Sequence, residues 1–91
     1  ITIHNFPRGA RGLRVAWLCE EMGLAYEVKK LSFPTDAAYR QLNPLGSVPF
    51  LEDGNVRMNE SAAMMIYVAE RYGPTPLLPE RTSPHYARAL Q

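Results

Sequence analysis

A proline one residue into an apolar, strand-like run, Val48-Pro49-Phe50-Leu51, constrains this chain more than any other feature of its sequence. Proline donates no backbone N–H, so in sheets it is confined to strand starts, edges and bulges. The run follows Asn43-Pro44-Leu45-Gly46, a turn signal, and precedes Asp53-Gly54-Asn55, a hairpin signal. Val48–Glu52 and Val56–Met58 therefore read as two short antiparallel strands. The proline makes sense if the Val48-Pro49 bond is cis and Val48 turns its N–H and C=O outward. An extended peptide can then pair with Val48 as an added strand.

The rest of the chain fits around this hairpin. Ile1–Phe6 is rich in β-branched and aromatic residues and is stopped by Pro7, which predicts a first strand. Gly9 and Gly12 lead into a helix from Leu13 to Met22, with Gly23 where a C-cap belongs. Tyr26–Ser32 is a second strand, ended by Pro34. A short helix follows over Asp36–Leu42, capped by Thr35 or Asp36, and a last one over Ser61–Tyr72, closed by Gly73 and Pro74. The order β-α-β-α-β-β-α makes the first strand pair parallel, because it needs a crossover. The expected product is an α/β domain with a mixed four-stranded sheet and helices on both faces.

Composition narrows the function classes. The 91 residues make one small domain, and a formal net charge of +1 leaves no basic footprint for nucleic acid. No apolar run approaches the ~20 residues of a membrane span, and no apolar leader stands at the N-terminus. Neither nucleic acid nor a membrane is expected as a partner, and no metal is expected. Cys19 is the only cysteine, which excludes a disulfide framework and a CxxC dithiol; it reads as a core residue. A reduced, cytoplasmic protein is the expectation.

Both long helices are apolar nearly all round. Leu13, Ala16 and Trp17 mark one side of the first, and Val15, Leu18, Cys19 and Met22 another. Ala62 to Ala69 in the last helix has no charged residue. One sheet face needs only one apolar stripe, so a further domain or subunit is expected on the outer sides. After Gly73 come Pro74, Pro76, Pro79 and Pro84, with Ser83-Pro84 as an N-cap and first-turn pair. The chain is expected to divide into a ligand-binding domain at 1–73, a Pro-rich connector at 74–83, and the opening of a helical domain at 84–91.

The chemistry is expected where Val48 meets the start of the last helix. Glu60-Ser61 places a helix N-terminus, a hydroxyl and a carboxylate there, and helix N-termini attract carboxylates. A ligand with a backbone amide, a carboxylate and an ammonium satisfies all of these features, and glutathione is such a ligand. The Pro44-Leu45-Gly46-Ser47-Val48-Pro49 run, the Glu60-Ser61 pair and the Arg14–Glu21 stretch with Met22-Gly23-Leu24 after it resemble the glutathione S-transferases over essentially the whole chain. The resemblance implies a thioredoxin-like fold, with Val48 pairing with the cysteinyl backbone, Pro49 cis, and Glu60 and Ser61 holding the γ-glutamyl end. Ser47 stands where many members carry a longer Gln or Lys that makes a further contact. It also implies a homodimer, a C-terminal helical domain, and a small apolar electrophile as co-substrate to be conjugated, reduced or isomerised.

One loop departs from that family. Members activate the thiol with a Tyr, Ser or Cys near the end of the first strand or the start of the first helix. Here Phe6-Pro7-Arg8-Gly9-Ala10-Arg11-Gly12 offers none. Arg11, or Arg8, is left as the group able to stabilise a thiolate by charge, together with loop N–H groups. His4 reads as a sheet residue. A rival reading is therefore a non-catalytic binding or scaffold module on the same fold.

Overall fold

A computed structural model describes all 91 residues. Strands β1 (Thr2–Asn5), β2 (Glu27–Lys30), β3 (Phe50–Asp53) and β4 (Val56–Met58) form one sheet in the order β2-β1-β3-β4. β1 and β2 are parallel, while β1–β3 and β3–β4 are antiparallel, as the crossover and the hairpin require. The helices are α1 (Gly12–Glu21), α2 (Ala37–Leu42), α3 (Ser61–Tyr72) and α4 (Tyr86–Leu90).

The two sheet faces are used differently. Side chains alternate along a strand, so Ile3 and Leu51 point one way while His4 and Phe50 point the other. Ile3 and Leu51 join Val15, Ala16, Leu18 and Cys19 of α1 and Met64, Val68 and Ala69 of α3 in one buried cluster. On the opposite face α2 places Tyr39 against His4 and Phe50, with ring centroids 5.7 and 6.4 Å away. Burial inside the first cluster pushes the Cys19 thiol above its ordinary pKa.

Helix ends follow local chemistry. Asp36 caps α2, its carboxylate accepting from the Tyr39 amide at 2.8 Å. α1 closes in a Schellman arrangement, with the Gly23 amide donating to Glu20 O at 3.0 Å and the Leu24 amide to Cys19 O at 2.9 Å. That closure needs a left-handed residue, and Gly23 has φ +65°.

Several boundaries differ from the sequence expectation. The first two strands are shorter than expected, at Thr2–Asn5 and Glu27–Lys30. β2 is an edge strand exposed along its length, paired with β1 alone and with no second ladder of its own. β3 begins at Phe50, so Val48 and Pro49 precede the ladder instead of interrupting it. The helix after Ser83-Pro84 starts at Tyr86: Ser83 first builds a turn, its hydroxyl accepting from the His85 amide and its carbonyl from the Tyr86 amide. Phe33-Pro34 and Gly73-Pro74 are cis as well as Val48-Pro49.

Candidate functional site

The sheet register gathers the expected site residues at one end of the molecule. His4 pairs with Phe50, and Leu51 with Met58. The loop leaving β1, the segment entering β3 and the segment leaving β4 therefore lie at the same end of the sheet. They carry Phe6–Arg11, Ser47–Pro49 and Asn59–Ser61.

The middle segment presents free backbone. The Val48-Pro49 bond is cis, Pro49 is buried and Val48 is half-buried. Neither the amide nor the carbonyl of Val48 has a hydrogen-bond partner in the chain. This pair of unmet groups is what a peptide-like ligand requires.

The third segment is an uncapped helix start. α3 is 12 residues long; its amides before Met64 lack intrahelical acceptors, and Glu60 caps none of them with its side chain. Ser61 is buried and its hydroxyl makes no hydrogen bond within the chain. Glu60 is exposed and holds φ +72°, ψ +103°, a conformation costly for a residue with a β-carbon. Sequence reasoning placed Glu60 here but gave no sign of its backbone.

A polar cluster fastens these two segments together. The Ser47 carbonyl accepts from the Tyr39 hydroxyl and from Asn43 Nδ2, the latter at 2.9 Å. Asn59 Oδ1 accepts from Asn43 Nδ2 at 3.0 Å and from Ser47 Oγ at 3.1 Å. Tyr39 and Asn43 are both buried. Ser47 thus spends its hydroxyl on Asn59. Tyr39, Asn43 and Asn59 escaped the sequence reading, although an Asn at the head of a Pro-Leu-Gly turn is itself a signal for side-chain-to-backbone bonding.

The chain's kinship agrees with this geometry. Residues 3–76 match the family described as glutathione S-transferase, N-terminal domain. The chain belongs to the glutathione S-transferase family. It is 33% identical over 78 residues to Glutathione S-transferase 3 of Schizosaccharomyces pombe, covering 82% of this chain and 32% of that protein. It is 31% identical over 94 residues to Glutathione S-transferase Z2 of Arabidopsis thaliana, covering 99% of this chain and 41% of the relative. The chain thus spans well under half the length of these curated relatives. Among solved structures it resembles the theta class glutathione S-transferase of Xanthomonas axonopodis pv. citri, crystallised with glutathione bound. The TM-score is 0.78 at 32% identity, covering 94% of this chain and 42% of that one. The sheet and its helices are the thioredoxin-like fold of these transferases.

The remaining edge of the candidate site is the loop after β1. Arg8 and Arg11 are exposed, and neither side chain makes a hydrogen bond or ion pair. Arg11 occupies the N-cap position of α1 without capping it. Below the loop, the Asn5 carboxamide oxygen is the one buried side-chain polar atom with no partner. Gly12 lies so close that a β-carbon there would sit 2.5 Å from Asn5 Cγ.

Away from this end, α1 and α3 border an apolar cleft of about 640 Å³. Trp17, Met65 and Ile66 line it from the helices, and Leu77, Leu78 and Leu90 from the segment that follows. The chain's own connector and α4 thus cover part of the surface expected to be bare. Leu13 and Trp17 remain 71% and 67% exposed. No helix is long and apolar enough to cross a membrane.

His4 is a sheet residue, as expected, and not a member of this site. Its Nε2 meets Glu52 Oε2 at 2.7 Å, and Arg57 reaches the other oxygen at 3.3 Å. The His4 hydrogen bond holds the Glu52 carboxyl below the usual carboxylate range, against a smaller opposing effect of burial.

Proposed function

We propose that residues 1–73 are the glutathione-binding domain of a glutathione transferase. One observation carries the reading: the unpaired backbone of Val48 stands at the same sheet end as the uncapped, buried-Ser start of α3. In this assignment Val48, presented by the cis Pro49, pairs with the cysteinyl backbone of glutathione. Ser61 and the first amides of α3 take the γ-glutamyl carboxylate, and Glu60 takes its ammonium. Ser47, tied to Asn59, contributes its place in the segment and no long-range contact.

The transferred partner is a small apolar electrophile, to be conjugated, reduced or isomerised at the sulfur. It would be held largely by a helical domain that begins at 84–91 beyond the 74–83 connector, in a homodimeric, cytoplasmic protein. Arg11 is the group assigned to the thiolate, acting by charge. A cation within about 4–6 Å of a thiol favours its ionised form.

The test is calorimetric titration of glutathione into the full-length protein and its Ser61→Ala variant. Loss of a charge-assisted hydrogen bond should weaken binding by roughly 1–2 kcal/mol. Equal affinities would overturn the assignment.

A second reading, a non-catalytic glutathione-binding scaffold, is favoured by the absence of any hydroxyl or thiol between Phe6 and Gly12. Thiolate absorbance of bound glutathione against pH separates the two. In the enzyme reading, Arg11→Ala moves that titration to higher pH; coincident curves favour the scaffold.

A further inference from the structure

Asn43, the residue after α2, is 1% exposed. Its Nδ2 lies 2.9 Å from Ser47 O, 3.0 Å from Asn59 Oδ1 and 3.2 Å from the Tyr39 hydroxyl. A carboxamide nitrogen carries two hydrogens, so the two shorter contacts take them. The orientation of the group is fixed by its surroundings, because the Ser47 carbonyl can only accept. One buried nitrogen therefore joins the residue before Val48 to the residue before Glu60. The only other side-chain bond between these segments is Ser47 Oγ to Asn59 Oδ1, and it is exposed.

The geometry points to Asn43 as the positioning residue of glutathione recognition. It sets the separation between the Val48 backbone and the Glu60–Ser61 turn so that a single ligand engages both. The inference rests on the glutathione-binding reading above and adds to it a residue that never touches the ligand. Its physical basis is preorganisation: a ligand spanning two segments loses affinity when it must itself bring them into register. Without the Asn43 donor, Ser47 O keeps only Tyr39, and Asn59 Oδ1 keeps only Ser47 Oγ. Both segments persist, but their spacing is no longer imposed.

The test uses the full-length protein and three variants, Asn43→Ala, Asn43→Asp and Asn59→Ala, each checked for native circular dichroism. Glutathione affinity is measured by calorimetry from about pH 5 to 8, a range in which a buried, unpaired aspartate with a raised pKa titrates. At neutral pH Asn43→Ala should bind about tenfold more weakly, the equivalent of one hydrogen bond lost from the bound state. Asn43→Asp should be at least as weak there, since a carboxylate facing two acceptors cannot donate. At acid pH its protonated form donates to Ser47 O again, and affinity should return several-fold towards native. Asn43→Ala, the control for the ligand's own titration, should show no such return. Asn59→Ala should weaken binding several-fold, and it supplies the result if the Asn43 variants do not fold.

The inference is overturned if Asn43→Ala or Asn59→Ala binds like the native protein. It is equally overturned if Asn43→Asp follows Asn43→Ala at every pH, the behaviour of a residue that merely supports the fold. If native protein binds glutathione and Ser61→Ala weakens it, such a result removes Asn43's role and leaves the binding site standing. If native protein does not bind glutathione, both fall.

Discussion

The two sides of the candidate site are built in opposite ways. On one, Ser47–Pro49 and Asn59–Ser61 are fastened to each other and to α2 by Tyr39, Asn43 and Asn59. On the other, no side chain from Asn5 through Ala16 makes a hydrogen bond. The loop after β1 is held by two backbone bonds, Leu13 N to Ala10 O and Arg14 N to Arg11 O. Its one aromatic contact is Phe6 edge-on to Phe33, which is 85% exposed. The domain braces the side proposed to recognise glutathione and leaves bare the side proposed to act on the sulfur. A recognition surface gains from rigidity by itself, whereas a reacting surface can be completed by whatever packs against it.

Thermal and denaturant unfolding of variants would sharpen or break this contrast. The largest effect is expected for Asn43→Ala. It strips a donor from two acceptors in the braced side, a loss of about 2–3 kcal/mol. A loss below about 0.5 kcal/mol would erase the distinction, since surface substitutions lie in that range. Next comes Gly12→Ala, the single tight point on the bare side. Its new methyl meets the Asn5 side chain, and overpacking of this kind costs about 1–3 kcal/mol. A neutral result would mean that Asn5 moves aside freely.

A smaller effect is expected at Asp53, beyond the site. Burial acts to raise its pKa, yet the hydroxyls of Tyr72 and Tyr67, at 2.7 and 2.8 Å, hold it below the ordinary range. A depressed folded-state pKa contributes stability that is complete above the unfolded value of about 4. That stability is lost as pH falls through the lower folded value. Asp53→Asn should therefore be about 1 kcal/mol less stable than native at neutral pH and should converge on it in acid. Parallel curves would show that the tyrosines contribute nothing through the charge. The smallest effect belongs to Arg11→Ala, which should stay within about 0.5 kcal/mol of native at any pH between 5 and 8. A larger loss would reveal a partner for Arg11 and undo its description as bare.

What was legible in the sequence was local. The hairpin at Asp53-Gly54-Asn55, the stop at Gly23, the Asp36 cap and the cis Val48-Pro49 bond are each written in a few adjacent residues. The two candidate segments were legible because Val48-Pro49 and Glu60-Ser61 each put their signal in adjacent residues. The brace between them was not, because Asn43 and Asn59 are 16 positions apart and meet only through the sheet register. The bareness of β2 was also hidden: Tyr26–Ser32 has a strand's composition, but only the strand order shows that it lies at an edge.

The backbone of Glu60 sets stability against the proposed ligand contact at one position. Glycine there would relieve a left-handed conformation that a β-carbon disfavours, and would also delete the carboxylate proposed to meet the ammonium of glutathione. Glu60→Gly should therefore melt at a higher temperature and hold glutathione more weakly. A lineage selected for durability alone would drift to glycine at this site. A library screened for stability and the same library screened for glutathione binding should therefore choose different residues here.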